Sequence, residues 1–305
     1  MSRSLADSPL FMRLASLAAS LYASKNIFLD NDALVIFTCG ASKHSKSSAR
    51  EQLLDYANKY FKHGTLFRAE DAFSVLLRSN KDDLLTIEHS LADYSDCVVI
   101  INESAGTLAE LGAFASNEAV VKKLLIVNPS EHRDALSFIN LGPIAKTDRK
   151  SKFSKTIHID LASASLHFDT VLNRIESNAV RKRRRGVDFS KTDSWKSSEG
   201  KLRLLLIQDI LNLFSPVNYY EVLCILKACF PSEYVRFNVE LGLLVATRKV
   251  IEEGELLLTT PDCSQHSYEV DHSTWLYLRK KIIDVYRSKD RERLNYLTKR
   301  AWGVR

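Results

Sequence analysis

The spacing of apolar residues changes several times along the chain, and each change marks an element. Leu10, Phe11, Leu14, Leu17 and Leu21 recur every three or four positions, which predicts an amphipathic helix over 10–23. Such a helix packs on its own domain or on a second subunit. The same stretch faintly resembles a signal peptide, but Arg13 interrupts it. Next comes the short apolar run ALVIFTC at 33–39, ending on Gly40, the pattern of a strand buried on both faces. Helical spacing returns at 47–61, a weak strand follows at 65–68, and helices are expected at 71–77 and 82–91. DCVVIIN at 96–102 is the clearest strand in the chain. The loop 103–107 leads into a helix through about Asn117, 123–127 is another buried strand, and 156–160 is an edge strand. Strands alternating with helices argue for an α/β fold, a parallel sheet flanked by helices.

Beyond residue 180 the pattern becomes mainly helical. An apolar helix over 202–214 stops at Ser215-Pro216, and a second over 219–229 ends before Pro231. Ser232 is placed to cap a third, with Glu233 in its first turn, running to about Ile251. Two short strands, 255–260 and 266–270, flank the turn 261–264, and a long charged helix over 274–300 closes the chain. Three short helices and a hairpin are the element order of a winged helix-turn-helix. These readings divide the chain into a sheet domain (1–165), a basic linker or helix (166–200) and a winged-helix-like domain (201–305).

Composition adds limits. With 305 residues, 45% of them hydrophobic, the chain is long enough for two globular domains, and disordered, collagenous and fibrous classes are excluded. The formal charge of +6 is unevenly placed: residues 1–150 hold 17 basic and 18 acidic side chains, residues 151–305 hold 26 and 19. The basic excess of the second half includes the run Arg181, Lys182, Arg183, Arg184 and Arg185, then Lys191, Lys196, Lys201 and Arg203, a stretch suited to phosphates. On the third helix Arg236, Arg248 and Lys249 are the candidate nucleic-acid contacts. So few bases there suit shape and backbone binding, or a protein contact, better than base reading in the major groove. Five cysteines without a CxxC pair read as reduced thiols in a cytoplasmic protein. No stretch approaches the roughly 20 apolar residues of a membrane span, and no His/Cys cluster has metal spacing.

Candidate chemistry gathers at 103–110, ESAGTLAE, at the carboxyl end of the clearest strand, where open α/β sheets place ligands. Gly106 allows close backbone approach, and the free N–H groups of Gly106, Thr107 and their neighbours at the helix start suit an anion. A carboxylate at Glu110 can attack an electrophilic carbon or stabilise a cation; it can also simply complement the helix dipole. Gly40 and Ser42 line the same sheet edge, for a phosphate or ribose or as a plain turn. Glu70 and Asp71 either bind ribose hydroxyls or cap the next helix.

The segment 96–113, DCVVIINESAGTLAELGA, resembles the core motif of the nucleoside 2-deoxyribosyltransferase-like superfamily, a strand followed by [D/E/S]-x-G-T-x-x-E-[LI]-G. More narrowly, the chain resembles the effector proteins of type II retrons. The resemblance rests on Phe37-Thr38-Cys39-Gly40, Glu70-Asp71, Glu88, Glu103 through Thr107, Glu110 through Phe114 and Ser137 through Pro143, and in the second half on element order. It implies a Rossmann-like catalytic domain joined to a winged-helix DNA-binding domain, in an antiviral toxin held inactive by a reverse transcriptase and its multicopy single-stranded DNA with noncoding RNA. It also implies cleavage of N-glycosidic bonds with Glu110 as nucleophile and Glu88 as a second acid handling the leaving group. Ser104 takes the place of a substrate-contacting aspartate, and Asn140 orients the sugar or nucleophile, across a subunit boundary as the family allows; a homo-oligomer or larger assembly is expected. NAD is the first substrate expected, consumed and not used as a cofactor, with deoxyribonucleotides or other nucleosides second. Two alternatives remain at this level: a nucleotide-sensing DNA-binding regulator without turnover, and a metabolic nucleoside-phosphate N-glycosidase resembling lysine-decarboxylase-like proteins. Ala105, where the latter carry glycine, and the basic half weigh against it.

Overall fold

The computed structural model describes residues 4–23, 27–29, 33–41, 48–79, 83–179, 185–191, 193–263 and 266–301. The chain forms two compact units. Ala33–Arg181 make one, and Met1–Asp32 together with Lys182–Arg305 make the other. The helix α1 (Pro9–Tyr22) and strand β1 (Ile27–Leu29) that open the chain therefore belong to the second unit.

The first unit is the expected α/β sandwich. Its elements are β2 (Leu34–Cys39), α2 (Ala49–Tyr60), β3 (Gly64–Phe67), α3 (Ala69–Ser79), α4 (Leu84–Tyr94), β4 (Cys97–Ile101), α5 (Ala105–Ser116), β5 (Leu124–Pro129), α6 (Ala145–Lys150), β6 (Ile157–Ile159) and α7 (Phe168–Asn178). The five strands are all parallel, in the order β3-β2-β4-β5-β6. Every residue of β2, β4 and β5 is buried, which explains why these strands are continuous apolar runs with no alternation. On one face Leu53 of α2 and Phe168, Val171 and Ile175 of α7 join Ile36, Val99 and Leu125 in a single core. On the other, Phe37 stacks on Phe67 at 5.4 Å and meets Phe114 of α5 edge-on at 6.1 Å. Burying each such side chain contributes about 1.5–3 kcal/mol. The expected boundary at 165 falls before α7, whose Phe168, Val171, Leu172 and Ile175 pack into the sheet core.

The second unit adds β7 (Arg185–Val187), α8 (Ser194–Ser197), α9 (Gly200–Phe214), β8 (Val217–Asn218), α10 (Tyr219–Cys229), α11 (Asn238–Ala246), β9 (Val250–Glu253), β10 (Leu256–Thr259), α12 (His272–Lys289) and α13 (Arg291–Ala301). β1 pairs antiparallel with β7, and α1 packs on α10 and α12. The small sheet runs β8-β10-β9, and with α9, α10 and α11 it has the element order of a winged helix.

Three details differ from the sequence reading. The third helix begins at Asn238, not Ser232, because Glu233 turns back to accept the Trp195 and Lys196 backbone N–H groups of α8, each at 3.0 Å. The hairpin is β9–β10, closed by Gly254 at φ +61°, and not 255–260 with 266–270. The backbone N–H groups of Ser267 and Tyr268 instead donate to the buried Asp209 carboxylate. The long terminal helix is interrupted at Asp290, whose carboxylate accepts from Arg293 Nε at 2.9 Å. No helix among the described residues is long and apolar enough to cross a membrane.

Candidate active site

In the first unit the chain leaves β2 toward β3 on one side and returns to β4 on the other, so the carboxyl ends of β2 and β4 flank the switch point of the sheet. Glu103, just past β4, ties this crevice together. Its Oε1 accepts from the Ala41 backbone N–H at 2.9 Å, the Ser48 hydroxyl at 2.7 Å and the Arg50 backbone N–H at 3.2 Å, and its Oε2 accepts from the Ala49 backbone N–H at 2.7 Å. The carboxylate thus satisfies N–H groups at the start of α2 that a helix leaves unpaired. Gly40 is required by this approach, since a Cβ there would sit 2.4 Å from Arg50 Cβ and 2.7 Å from Glu103 Oε1.

Ser104 caps α5: its hydroxyl accepts from the Thr107 backbone N–H, and the Thr107 hydroxyl donates back to the Ser104 carbonyl at 2.7 Å. Gly106 is exposed in the first turn and Thr107 is buried. The cap aims the next turn of α5 so that Glu110 stands beside Cys39 at the end of β2. Glu110 is half-buried, and its Oε2 has no hydrogen-bond partner. Burial first, and then the nearby charge of Glu88, push its pKa up to about 7, while the Cys39 thiol and Arg50 pull in the opposite direction. Glu88 on α4 is also raised, by burial and then by Glu70.

The counter-charge comes from Arg50, a residue the sequence reading passed over. Its side chain is 4% exposed and pairs through both terminal nitrogens with Glu70, at 2.8 and 3.2 Å. Glu70 is therefore held at the edge of the acidic group, and Asp71 is turned away into a two-pronged pair with Arg68. The structure brings Gly40, Glu70, Glu88, Ser104, Gly106, Thr107 and Glu110 to one edge of the sheet. Asn140 opens the helical segment 140–144 after β5 and lines a cavity that Glu103 and Ser104 also line; its amide donates to the carbonyls of His132 at 2.7 Å and Ala135 at 2.8 Å. Ser42 lies outside the described residues. Among those described, no cluster of His, Cys, Asp and Glu has the arrangement of a metal site. What the crevice offers is a carboxylate with a vacant oxygen, a second carboxylate and a helix N-terminus around one point.

The candidate nucleic-acid residues are spread out. Arg181, Lys182, Arg183 and Arg184 lie outside the described residues, and Arg185 forms a two-pronged pair with Glu199. Arg236, Arg248 and Lys249 do not belong to the third helix, as the sequence suggested. Arg236 precedes α11, with its Nε on the Tyr234 hydroxyl at 3.0 Å. Arg248 follows α11 in a left-handed turn, and Lys249 donates to Gln208 at 2.9 Å. α11 itself carries no Lys or Arg, and Glu252, Glu253 and Glu255 are exposed around the β9–β10 turn. α12 also carries exposed Lys280, Lys281, Arg287 and Lys289, spread around the helix and with Arg287 paired to Asp284, which the sequence reading passed over as part of a generally charged helix.

Comparison with known proteins places these features in a family. A family profile described as STM3845 retron effector protein matches residues 46–252. A retron Ec73 protein of Escherichia coli, named a candidate ribosyltransferase/DNA-binding protein, is 30% identical over 232 residues, covering 70% of this chain and 73% of that protein. A retron Ec86 protein of the same organism, with the same description, is 36% identical over 115 residues, 37% of each chain.

Proposed function

The chain belongs to the STM3845 retron effector family, and from that premise we propose that it is a toxin that cleaves the N-glycosidic bond of a nucleotide, with NAD the favoured substrate. The observation that carries the reading is Glu110: a half-buried carboxylate at the switch point of the sheet, one oxygen unpaired, beside Glu88. The related proteins from retrons Ec73 and Ec86 are named for ribosyl transfer, which is chemistry at the same sugar carbon.

Glu110 attacks the anomeric carbon as the bond to the base breaks, and its oxygen forms an ester with the sugar. The base leaves with the bonding electrons. Water then adds to the anomeric carbon, Glu88 takes its proton, and Glu110 is released. The environment favours a cationic leaving group. Among the described residues, Glu70, Glu88 and Glu110 face one buried cation, Arg50, an environment that attracts a positive ring, whose departure needs no protonation. A cation entering the site also lowers the pKa of Glu110, so that binding itself ionises the nucleophile.

The second unit is the part that meets the rest of the retron, the reverse transcriptase and multicopy single-stranded DNA that hold the toxin inactive. An acidic wing and a third helix without cations do not suit reading of the major groove; the exposed lysines of α12, with the basic run 181–184 in the sequence, suit contact with phosphates. Purified full-length protein should release nicotinamide from NAD, measured by chromatography, and Glu110→Gln should abolish the release together with toxicity in cells. Nicotinamide release by Glu110→Gln sinks the mechanism. Release of a base from deoxyribonucleotides and none from NAD keeps the chemistry and changes the substrate.

A further inference from the structure

β4 and β5 both run into an asparagine. The strands are parallel with Ile101 opposite Val127, and the Asn102 backbone N–H donates to the Val127 carbonyl, so Asn102 and Asn128 lie side by side at the carboxyl edge of the sheet. They are 6% and 2% exposed. Asn102 Nδ2 donates to Asn128 Oδ1 at 2.9 Å, and the other two amide atoms, Asn102 Oδ1 and Asn128 Nδ2, are buried without a partner. Exchanging oxygen and nitrogen in both amides leads to the same position, because the mutual bond always leaves one acceptor and one donor over. Buried groups left this way are rare in native folds.

Both asparagines line a cavity of about 440 Å³, within the size range of small-molecule sites. Leu108, Pro129, Ile139 and Leu161 give it apolar walls. Asn140, whose amide folds the 132–135 segment, supports its rim. Glu110 does not line it; Glu103 and Ser104 do, and they reach the acidic crevice as well.

We propose that this cavity is a nucleobase site, separate from Glu110. The leftover acceptor of Asn102 and donor of Asn128 are the complement of the amide or amidine edge of a base, which offers one donor and one acceptor. The soft terminal torsion of each asparagine lets the leftover atoms turn into the cavity they border, and the apolar walls take the faces of the ring. Because Glu103 also holds the backbone at Ala41, Ala49 and Arg50, an occupied cavity is linked directly to the scaffold of the acidic crevice.

The test is equilibrium dialysis of the full chain carrying Glu110→Gln, against labelled adenosine, guanosine, cytidine, uridine and free ribose. Turnover then plays no part, so the result stands whether or not the glycosidase reading holds. At least one nucleoside should bind at about 1 mM, ribose should not, and Asn128→Asp, which turns the leftover donor into an acceptor, should weaken binding about tenfold or more. Ile139→Trp fills the cavity from a partly exposed wall and should also remove binding, which covers a fold defect in Asn128→Asp. Overturning results are no nucleoside bound at that concentration, water alone filling the space; ribose bound as well as the nucleosides; or binding that survives both substitutions.

Discussion

Each unit buries carboxylates, and what separates them is whether those carboxylates have partners. In the second unit Glu221 is fully buried and fully used. Arg293, equally buried, donates to both its oxygens at 2.6 and 2.9 Å, and the backbone N–H groups of Leu5 and Asn218 add to them at 2.5 and 3.0 Å. Glu240 holds Arg203 at 3.0 Å. In the sheet unit Glu110 keeps an oxygen unpaired. Acidity alone does not tell the cases apart, since burial pushes both Asp209 and Glu110 up to about 7. Asp209 spends its oxygens on backbone N–H groups and holds a loop; Glu110 has capacity left for a ligand. A shifted carboxylate signals function when it is also under-used.

The sharpest way to break this contrast is Glu110→Gln. The amide fills the same space and loses only an under-used charge, so activity should fall by about 10⁴-fold or more while unfolding free energy moves by less than about 1 kcal/mol. Nicotinamide release and urea unfolding measured on one preparation check both halves. A large loss of stability would make Glu110 a structural residue like Glu221.

Arg293→Met should do the reverse. It leaves Glu221 buried without its cation, which costs about 3–5 kcal/mol, read as a lowered urea midpoint. The turnover of the molecules that remain folded should stay near that of the original protein, because the pair belongs to the other unit.

Titration separates the two groups further. Burial holds the folded-state pKa of both Asp209 and Glu110 above the ordinary values of 3.8 and 4.5. Between those values and about 7 the folded chain binds more protons than the unfolded chain, so stability is greatest on the acid side and falls as pH rises through that window. Asp209→Asn should flatten the fall, seen in urea midpoints at about pH 5 and about pH 8. In the free enzyme kcat/KM should rise as the Glu110 carboxylate ionises near pH 7, while kcat, set after a cationic substrate has bound, should rise at lower pH. A pH profile of activity that Asp209→Asn displaces would mean that the two groups are coupled.

The crevice was legible in the sequence as far as it is local. An apolar strand, a serine cap and a glutamate six positions later lie within one βα unit, and there the spacing reports geometry directly. Glu103 was not legible as a scaffold, because its partners at 41–50 meet it only when β2 and β4 pair in the sheet. Cys39 was read as core, which it is, but its contact with Glu110 depends on the same pairing. Arg50 carries no local signal, because its partner Glu70 reaches it only through the packing of α3. In the second unit the errors have one cause: the third helix and the hairpin were assigned from local caps and turns, while Glu233 and the Ser267–Tyr268 backbone are committed to distant partners. The placement of α1 with α10 and α12 has the same origin, since an amphipathic helix does not state which apolar surface it will cover.

Gly106→Ala gives the smallest effect and the finest discrimination. A Cβ at this position would meet nothing closer than Ser104 Oγ at 3.7 Å, so the crevice itself has room for it. Gly106 lies in the first turn of α5, where alanine is the better helix former, and the sheet unit should gain up to about 1 kcal/mol. If the N-terminus of α5 receives the phosphate or ribose of the substrate, the added methyl group occupies the space of that approach. The Michaelis constant should then rise several-fold while kcat changes little, the signature of lost binding with the chemistry at Glu110 intact. A gain in stability with unchanged kinetics would move the substrate away from this turn and leave Glu110 to be reached from the α4 side of the crevice.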